Sequence, residues 1–351
     1  MHPSPNVRRR SMVLGFGTVA VFAGFKGCGG SGSPDGGGGS SGGGASSGLT
    51  GSFWYRSGDN IVKVSGGGTS APQVMVPALL GAPGARPQIS RKGPRYLQAL
   101  YSGDDTLLQV YDHGNNQPYC YITVPGYVGG ALVSPSGNFI AMQRSPDIVN
   151  AALDGAAQGI ENIIGLNVAD VSDPNSPRLI RSEYSRGPSC VINFAWLDND
   201  QFLYMALDGG MFTGSATAGA QGDKKIGQLN DQGLKKGGFD VHPDGTTMAV
   251  CLISVTDESV FDNHLYKVNG ELVARLTATG QGSTPNWSPD GKYFSFTHGY
   301  TGNCEAEPGC IAACESFFVS SGARNVTRAD AQPFDRSLVP CVGGRAWSAV
   351  V

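Results

Sequence analysis

A short turn sequence that recurs along the chain constrains the fold more than any other feature. Residues 286–292 read Asn-Trp-Ser-Pro-Asp-Gly-Lys, and an apolar, aromatic run follows at 293–296. In this turn Pro289 presets φ for the second position, Asp290 can hydrogen-bond its own backbone, and Gly291 supplies a left-handed residue. The sequence therefore predicts a hairpin, with one strand before the turn and one after it.

Weaker copies of the turn recur at 89–93, 133–137, 196–200 and 241–245. In the third of these copies we expect Asp200 to take the place of the glycine, because Asp tolerates the left-handed conformation. A period in the forties with several strands per repeat is typical of a propeller blade. Counted from Gly93, Gly137, Asp200, Gly245 and Gly291, the successive spacings are 44, 63, 45 and 46 residues.

The segments between the turns predict four short antiparallel strands per repeat. A strand is expected directly after each turn, at 96–101, 139–143, 202–206, 247–252 and 293–297. Second strands are expected at 107–111, 164–168, 264–268 and 316–319, and third strands at 120–124, 178–182 and 272–276. With 53 glycines and 21 prolines the composition also favours many turns and an all-β fold.

The two ends of the chain complete the repeat pattern. Residues 51–77 supply three later strands without an opening turn, and residues 344–351 contain the Trp-Ser of an opening strand. We expect the C-terminal strand to pair with the N-terminal strands, which removes a free edge. Five internal repeats and one shared blade predict a six-bladed β-propeller of four-stranded antiparallel blades over residues 51–351.

The first 50 residues are predicted to be an export signal followed by a flexible tether. Arg8-Arg9-Arg10 precedes fifteen uncharged residues at 11–25, which favours an export signal at 1–27 over a membrane span. The paired arginines resemble a twin-arginine signal; an uncleaved anchor and cleavage after Ala23 are the alternatives. Residues 28–50 are almost entirely Gly and Ser, which predicts a flexible coil spanning about 25 Å.

Cys28 ends the apolar run in a setting that resembles the lipobox of bacterial lipoproteins. In that family the cysteine is diacylated and becomes the new N-terminus. Phe25 and Lys26 depart from the pattern, because the family has an aliphatic residue and a small residue there. The resemblance implies a lipid anchor at Cys28.

The repeat as a whole resembles the TolB-type (WD-type) propeller repeat, most strongly at 286–296. The resemblance implies an exported, non-enzymatic scaffold that binds a protein or peptide in the bacterial envelope. As a lipid-anchored protein it would lie in the periplasm or at the outer membrane, with a monomeric body and no cofactor. We expect no counterpart of the α/β domain of TolB, because the Gly/Ser-rich segment leads directly into a strand. The alternative is a six-bladed hydrolase or lactonase with a divalent cation in the channel.

The balance of basic and acidic residues bears on the class of partner that the chain can bind. From Cys28 onward the chain carries 21 basic and 28 acidic residues without a basic stripe. This balance argues against nucleic acid as the main partner. The five histidines suggest no Ser-His-Asp arrangement, so no catalytic residue is predicted.

Two groups of residues are candidates for binding a ligand. Gln88, Asp240 and Asn286 each stand two residues before the Ser or His position of their turn, and we expect them to line the central channel. Inserted segments near 147–162 and 298–313 are expected to form loops, where binding residues concentrate unless the loops are mere decoration. Their candidates are Asp154, Glu161, His298 and Glu305.

The cysteines are expected to form disulfides rather than a metal site. In an exported chain, neighbouring cysteines such as Cys304, Cys310 and Cys314 more often form a disulfide within a loop than bind a metal. One of the three is a candidate to pair with Cys341. A zinc site from the first three with His298 fits the usual spacings poorly, so no metal is predicted. Cys251 is expected to be a buried free thiol. Cys120 and Cys190 either pair across neighbouring blades or stay reduced.

Overall fold

The computed structural model describes residues 48–57, 60–77, 87–89, 91–102, 104–114, 117–147, 151, 162–197, 200–299, 315–339 and 346–348. Within these residues the chain forms 24 strands in six four-stranded antiparallel sheets. The described residues also form three 3₁₀ turns, at Gly187–Ser189, Ala220–Gly222 and Arg328–Asp330. Across the same residues, no helix has the length and apolar character needed to cross a membrane.

The strands are numbered in chain order. They are β1 (Ser52–Ser57), β2 (Asn60–Val64), β3 (Gln73–Pro77), β4 (Pro87–Ile89), β5 (Arg95–Ser102), β6 (Asp105–Asp112), β7 (Pro118–Pro125), β8 (Tyr127–Val133), β9 (Phe139–Ser145), β10 (Gly165–Asp170), β11 (Arg178–Arg181), β12 (Val191–Trp196), β13 (Gln201–Ala206), β14 (Gly210–Ser215), β15 (Lys224–Gln228), β16 (Lys235–Val241), β17 (Thr247–Ile253), β18 (Phe261–Lys267), β19 (Leu272–Arg275), β20 (Gly282–Trp287), β21 (Tyr293–His298), β22 (Glu315–Ser320), β23 (Gln332–Pro333) and β24 (Ala346–Ser348).

The sheets are the six blades of a propeller. Blade 1 has the order β24-β1-β2-β3, and blades 2 to 6 are β4–β7, β8–β11, β12–β15, β16–β19 and β20–β23. The first strand of each blade is the innermost one, since β24, β4, β8, β12, β16 and β20 approach one another around the channel. The predicted six-bladed, all-β fold is confirmed.

The ring is closed as the sequence predicts, by the last strand pairing with the first. β24 lies antiparallel to β1, with Trp347 opposite Phe53. The two rings pack with their centroids 4.5 Å apart, and the Trp347 Nε1–H donates to the Thr50 carbonyl at 2.8 Å. The closing blade is therefore held by ring packing as well as by the strand ladder.

Three of the repeated turns share one backbone geometry. Gly137, Gly245 and Gly291 have φ values of 80°, 73° and 71°, and each N–H donates to the carbonyl three residues earlier. Asp200 has φ 56°, so it does take the place of the glycine in the third turn. This turn is one residue shorter than the other three. Its closing hydrogen bond runs from the Leu197 N–H to the Gln201 carbonyl, whereas in the turn at Gly291 the bond runs from the Ser288 N–H to the Tyr293 carbonyl.

The core lies between neighbouring blades. Strands such as β9 and β17 are buried on both faces, which explains the apolar runs at 139–142 and 248–253. Outer strands such as β7 alternate between buried and exposed residues. Blade 4 holds two strands that the sequence analysis missed, β14 and β15. They are rich in Gly, Thr and Lys, and the ladder forms there although strand propensity is low.

Candidate functional site

A cavity of about 130 Å³ lies at the mouth of the central channel, on the face that carries the repeated turns. All six blades contribute to its lining. Four of the lining side chains stand at the same position of their blades, two residues before Ser134, Leu197, His242 and Ser288 of the turns. They are Leu132, Ala195, Asp240 and Asn286.

Strand alternation explains why this position faces the cavity. Leu132, Ala195, Asp240 and Asn286 are half-buried, whereas the residues beside them, such as Phe239 and Val241, are buried between the blades. Successive side chains of a strand point to opposite faces. Each inner strand therefore gives one side chain to the blade interface and the next one to the channel.

An ion pair crosses the channel mouth. Arg91 of blade 2 contacts the Asp240 carboxylate of blade 5 and donates a second hydrogen bond to the Val241 carbonyl. Blades 2 and 5 are three positions apart in a ring of six, so the pair joins opposite walls. The side chains of Arg91 and Asp240 are 17% and 21% exposed, which shields the pair from bulk water.

Asp240 is also held from blade 6. Its Oδ2 accepts the Trp287 backbone N–H at 2.7 Å, and its carbonyl accepts the Trp287 indole N–H at 3.2 Å. Burial raises the pKa of the Asp240 carboxyl above its ordinary value, against the opposing effects of the Arg91 charge and the Trp287 N–H. The carboxylate is fixed in position and only partly hydrated.

His242 connects two of the turns that border the cavity. Its ring packs edge-on against Trp287, with centroids 4.9 Å apart, and its Nε2 lies 3.1 Å from the Gly291 carbonyl. Its Nδ1 lies 3.0 Å from an Asp244 carboxylate oxygen. With a proton on Nε2, the ring donates to the neighbouring blade and fixes one turn against the next.

The predicted channel candidates differ in how much the structure describes. Asp240 and Asn286 both line the cavity, and Asn286 Nδ2 donates to the Thr284 carbonyl at 3.1 Å. Gln88 lies on β4, but its side chain is outside the described residues. A ligand role for all three remains a prediction.

Most of the predicted loop and cysteine candidates fall outside the described residues. This applies to Cys28, Asp154, Glu161, Cys304, Glu305, Cys310, Cys314 and Cys341. His298 is described and ends β21 on the opposite side of the ring from the turns. Burial lowers its pKa, assisted by the charge of Arg328. The structure thus separates His298 from Asp240 and Asn286.

Three other cysteines are described. Cys120 and Cys251 are buried free thiols, and the Cys190 S–H donates to the Asn162 carbonyl at 3.1 Å. The pairing of Cys120 with Cys190 is therefore not formed, and the prediction for Cys251 is confirmed. Burial raises the pKa of Cys120 to about 11 and that of Cys251 to about 12, which keeps both thiols unreactive at neutral pH.

Arg91 is one of the cavity residues that the sequence analysis missed. It occupies the turn position where three other copies have Pro135, Pro243 and Pro289. An arginine in a proline position is a signal that the sequence did contain. Its partner on the opposite blade, 149 residues away, becomes apparent only once the ring is closed.

The described residues assemble no group of three or more His, Cys, Asp or Glu side chains in a metal-ligand arrangement. What they do define is a six-bladed β-propeller with a small, polar-edged cavity at one channel mouth. No protein-family model and no curated protein matches the chain.

Solved structures do resemble it. TolB from Acinetobacter baumannii is 12% identical, with a TM-score of 0.50, over 85% of this chain and 66% of that one. The chain thus spans slightly less than two thirds of that TolB. A functionally unknown protein from Desulfotomaculum acetoxidans is 13% identical, with a TM-score of 0.49 over 83% of each chain. Hydrazine synthase from Kuenenia stuttgartiensis is 15% identical, with a TM-score of 0.45 over 70% and 64%. The likeness to TolB shows the propeller fold alone.

Proposed function

We propose that this protein is a non-enzymatic, membrane-tethered scaffold of the bacterial envelope, and that the channel-mouth cavity holds one side chain of a protein or peptide partner. The observation that carries the proposal is the size of the cavity. Small-molecule and cofactor sites commonly measure about 300–1,000 Å³, whereas a cavity of about 150 Å³ accepts a single benzene ring. At about 130 Å³ the cavity suits one inserted side chain.

The lining supports the same proposal. Leu132, Ala195 and Trp347 offer apolar contact, while Arg91 and Asn286 add polar groups at the edge. Nearly all of these residues stand on inner strands or the turns beside them, and groups on a rigid scaffold position a ligand more accurately than groups on long loops. A pocket that combines apolar contact with hydrogen-bonding groups can anchor one side chain of a partner.

The place where the chain enters the propeller relates the proposed tether to the cavity. Leu49 is buried with Phe53 and Trp347, and the Thr50 carbonyl accepts the Trp347 indole N–H. The chain thus enters the propeller beside Trp347, a residue that also lines the cavity. We propose that residues 1–27 are an export signal, that Cys28 carries the lipid, and that the cavity opens on the tethered face.

The mass of the mature N-terminal peptide tests this location. A diacylated Cys28 as the first residue is the expected result. An unacylated chain that begins near Gly24 would refute the lipid anchor and leave the binding proposal standing.

Filling the cavity tests the binding proposal. Ala195 on β12 lines the cavity, and Ala274 on the outer strand β19 is half-buried like it but remote. We expect Ala195→Phe to reduce the capture of a stable partner from envelope extracts at least about tenfold, because its ring occupies the space for the partner's side chain.

Ala274→Phe is the matched control and should capture as the unchanged chain does. Unfolding curves of both variants show whether each is folded. Equal capture by the two folded variants, or the absence of any stable partner, would contradict the proposed function.

A further inference from the structure

Three nitrogen-bearing side chains converge between blades 1 and 2, away from the cavity. Trp54 lies on β1, Lys63 on β2 and His113 in the turn after β6. The Lys63 Nζ lies 5.5 Å from the centroid of the Trp54 ring, and the rings of Trp54 and His113 are 4.9 Å apart. The cluster joins the closing blade to its neighbour.

Three nitrogen atoms of this cluster have no hydrogen-bond partner among the described residues. Trp54 Nε1 and both ring nitrogens of His113 are buried without a hydrogen bond. Lys63 is only 7% exposed, and no ion pair to it is found in the described part of the chain. Buried polar groups are almost always satisfied, so several orphaned nitrogens in one place indicate a missing ligand.

The surrounding charges determine whether that ligand is an anion or a cation. Lys63 brings a positive charge, and the nearby carboxylate of Asp112 is already paired with Arg95 Nε at 3.1 Å. Tyr96 and Tyr111 complete the wall with uncharged rings. Burial lowers the pKa of His113 to about 4, with the Lys63 charge acting in the same direction and Asp112 opposing it. Burial also lowers the pKa of Lys63.

These groups favour an anion over a cation. A neutral imidazole and an indole offer N–H donors, and the ammonium of Lys63 repels any metal ion that the imidazole could otherwise bind. Since an anion beside them would offset the burial of Lys63, it would satisfy the donors and the charge together.

We propose that Trp54, Lys63 and His113 form a binding site for a small monovalent anion, a halide or a carboxylate, which bridges blades 1 and 2. None of the three residues lines the channel-mouth cavity. The site is therefore independent of the function proposed above, and it adds an ionic contact to the blade that closes the ring.

Bromide locates the site directly. Crystals of the full chain in bromide should show an anomalous peak within hydrogen-bond distance of Trp54 Nε1 or His113, and crystals of Lys63→Met should not. The methionine keeps the apolar stem without the charge, so the variant is expected to fold. Lys236→Met is the matched control, because Lys236 lies on the inner strand β16 and pairs with Asp231 instead. An equal peak in Lys63→Met would identify an adventitious ion only and overturn the proposal.

A titration in solution measures the affinity. Bound anion stabilises the imidazolium, so the NMR pKa of His113 should rise with a saturable dependence on chloride or formate. Screening by salt acts without saturation. We expect Lys63→Met to weaken binding at least about tenfold and Lys236→Met to leave it unchanged. A pKa of His113 that does not saturate with either anion in the unchanged chain would refute the site, and saturation with only one anion would identify its class.

Discussion

At the scale of single residues, the contact of His242 with Gly291 shows how a turn in one blade fixes the next. A Cβ atom on Gly291 would lie 2.7 Å from His242 Nε2, and the glycine has φ 71°. Gly245 has nearly the same backbone, φ 73°, but no heavy atom lies within 4 Å of its Cβ position. The two glycines therefore separate the cost of backbone strain from the cost of the contact.

Alanine substitutions measure that difference. Gly245→Ala should lower the free energy of unfolding by about 1–2 kcal/mol, because an L-residue in the left-handed region costs that much. Gly291→Ala should cost at least about 1 kcal/mol more, since the methyl group must displace the His242 ring. Denaturant unfolding of the full chain gives both values.

The double variant His242→Ala/Gly291→Ala serves as the control for this contact. With the ring removed, the cost of the Gly291 substitution should fall to that of Gly245→Ala. Equal costs for the two single variants would show that the His242 ring does not oppose a methyl group at position 291.

Residues of the turns could be predicted because their conformation is local. Asp200 in the left-handed region follows from the tolerance of Asp for that region and from its place in the repeat. The Arg91–Asp240 pair could not be predicted, since it depends on which blades stand opposite each other. The Trp54, Lys63 and His113 cluster was missed because it forms only where blade 1 packs against blade 2.

At the scale of strands, β-bulges shape the cavity. The ladders of β8, β12, β16 and β20 each shift register a few residues before the turn, at Val128/Gly130, Val191/Asn193, Lys236/Phe239 and Ser283/Asn286. Bulges increase the local twist and redirect the side chains that follow. In each of the four strands a residue beyond the shift faces the channel and lines the cavity. These residues are Leu132, Ala195, Asp240 and Asn286.

The bulge in β20 carries backbone strain. Thr284 has φ 50°, and a β-branched residue in the left-handed region costs about 1–3 kcal/mol. Asn286 follows two residues later and donates to the Thr284 carbonyl. The strain thus accompanies the positioning of a cavity residue. Turn chemistry indicates where a strand ends, but a bulge within the strand depends on its partner and was not predicted.

Outer strands make contacts between blades that the sequence analysis did not predict. Arg181 on β11 donates two hydrogen bonds to the Asp223 carboxylate of blade 4, at 2.9 and 2.7 Å, and both side chains are 5% exposed. The Tyr204 hydroxyl donates to the same carboxylate at 2.8 Å. Burial raises the pKa of Tyr204, with Asp223 adding to the effect. This buried pair joins blades 3 and 4 between residues 42 positions apart.

At the scale of the whole molecule, the ring gives its two faces different character. The turn face carries the cavity and the entry of the chain at Thr50, where the tether would leave. The strand ends that flank both predicted insertions, Ser145 with Gly165 and His298 with Glu315, lie on the opposite face. The closure and the blade count were predictable from the repeats, whereas the cavity needs all six blades in place.

Site-specific photo-crosslinking tests the role of the cavity most directly. Lys92 is exposed at the edge of the cavity, and Lys225 is exposed on the outer strand β15. A photoreactive benzoylphenylalanine would replace each lysine in turn in the full chain, and the envelope would be irradiated with the protein in place. We expect one partner to be crosslinked from position 92 and none from position 225. Crosslinking from position 225 alone, or in equal yield from both positions, would contradict binding at the channel mouth.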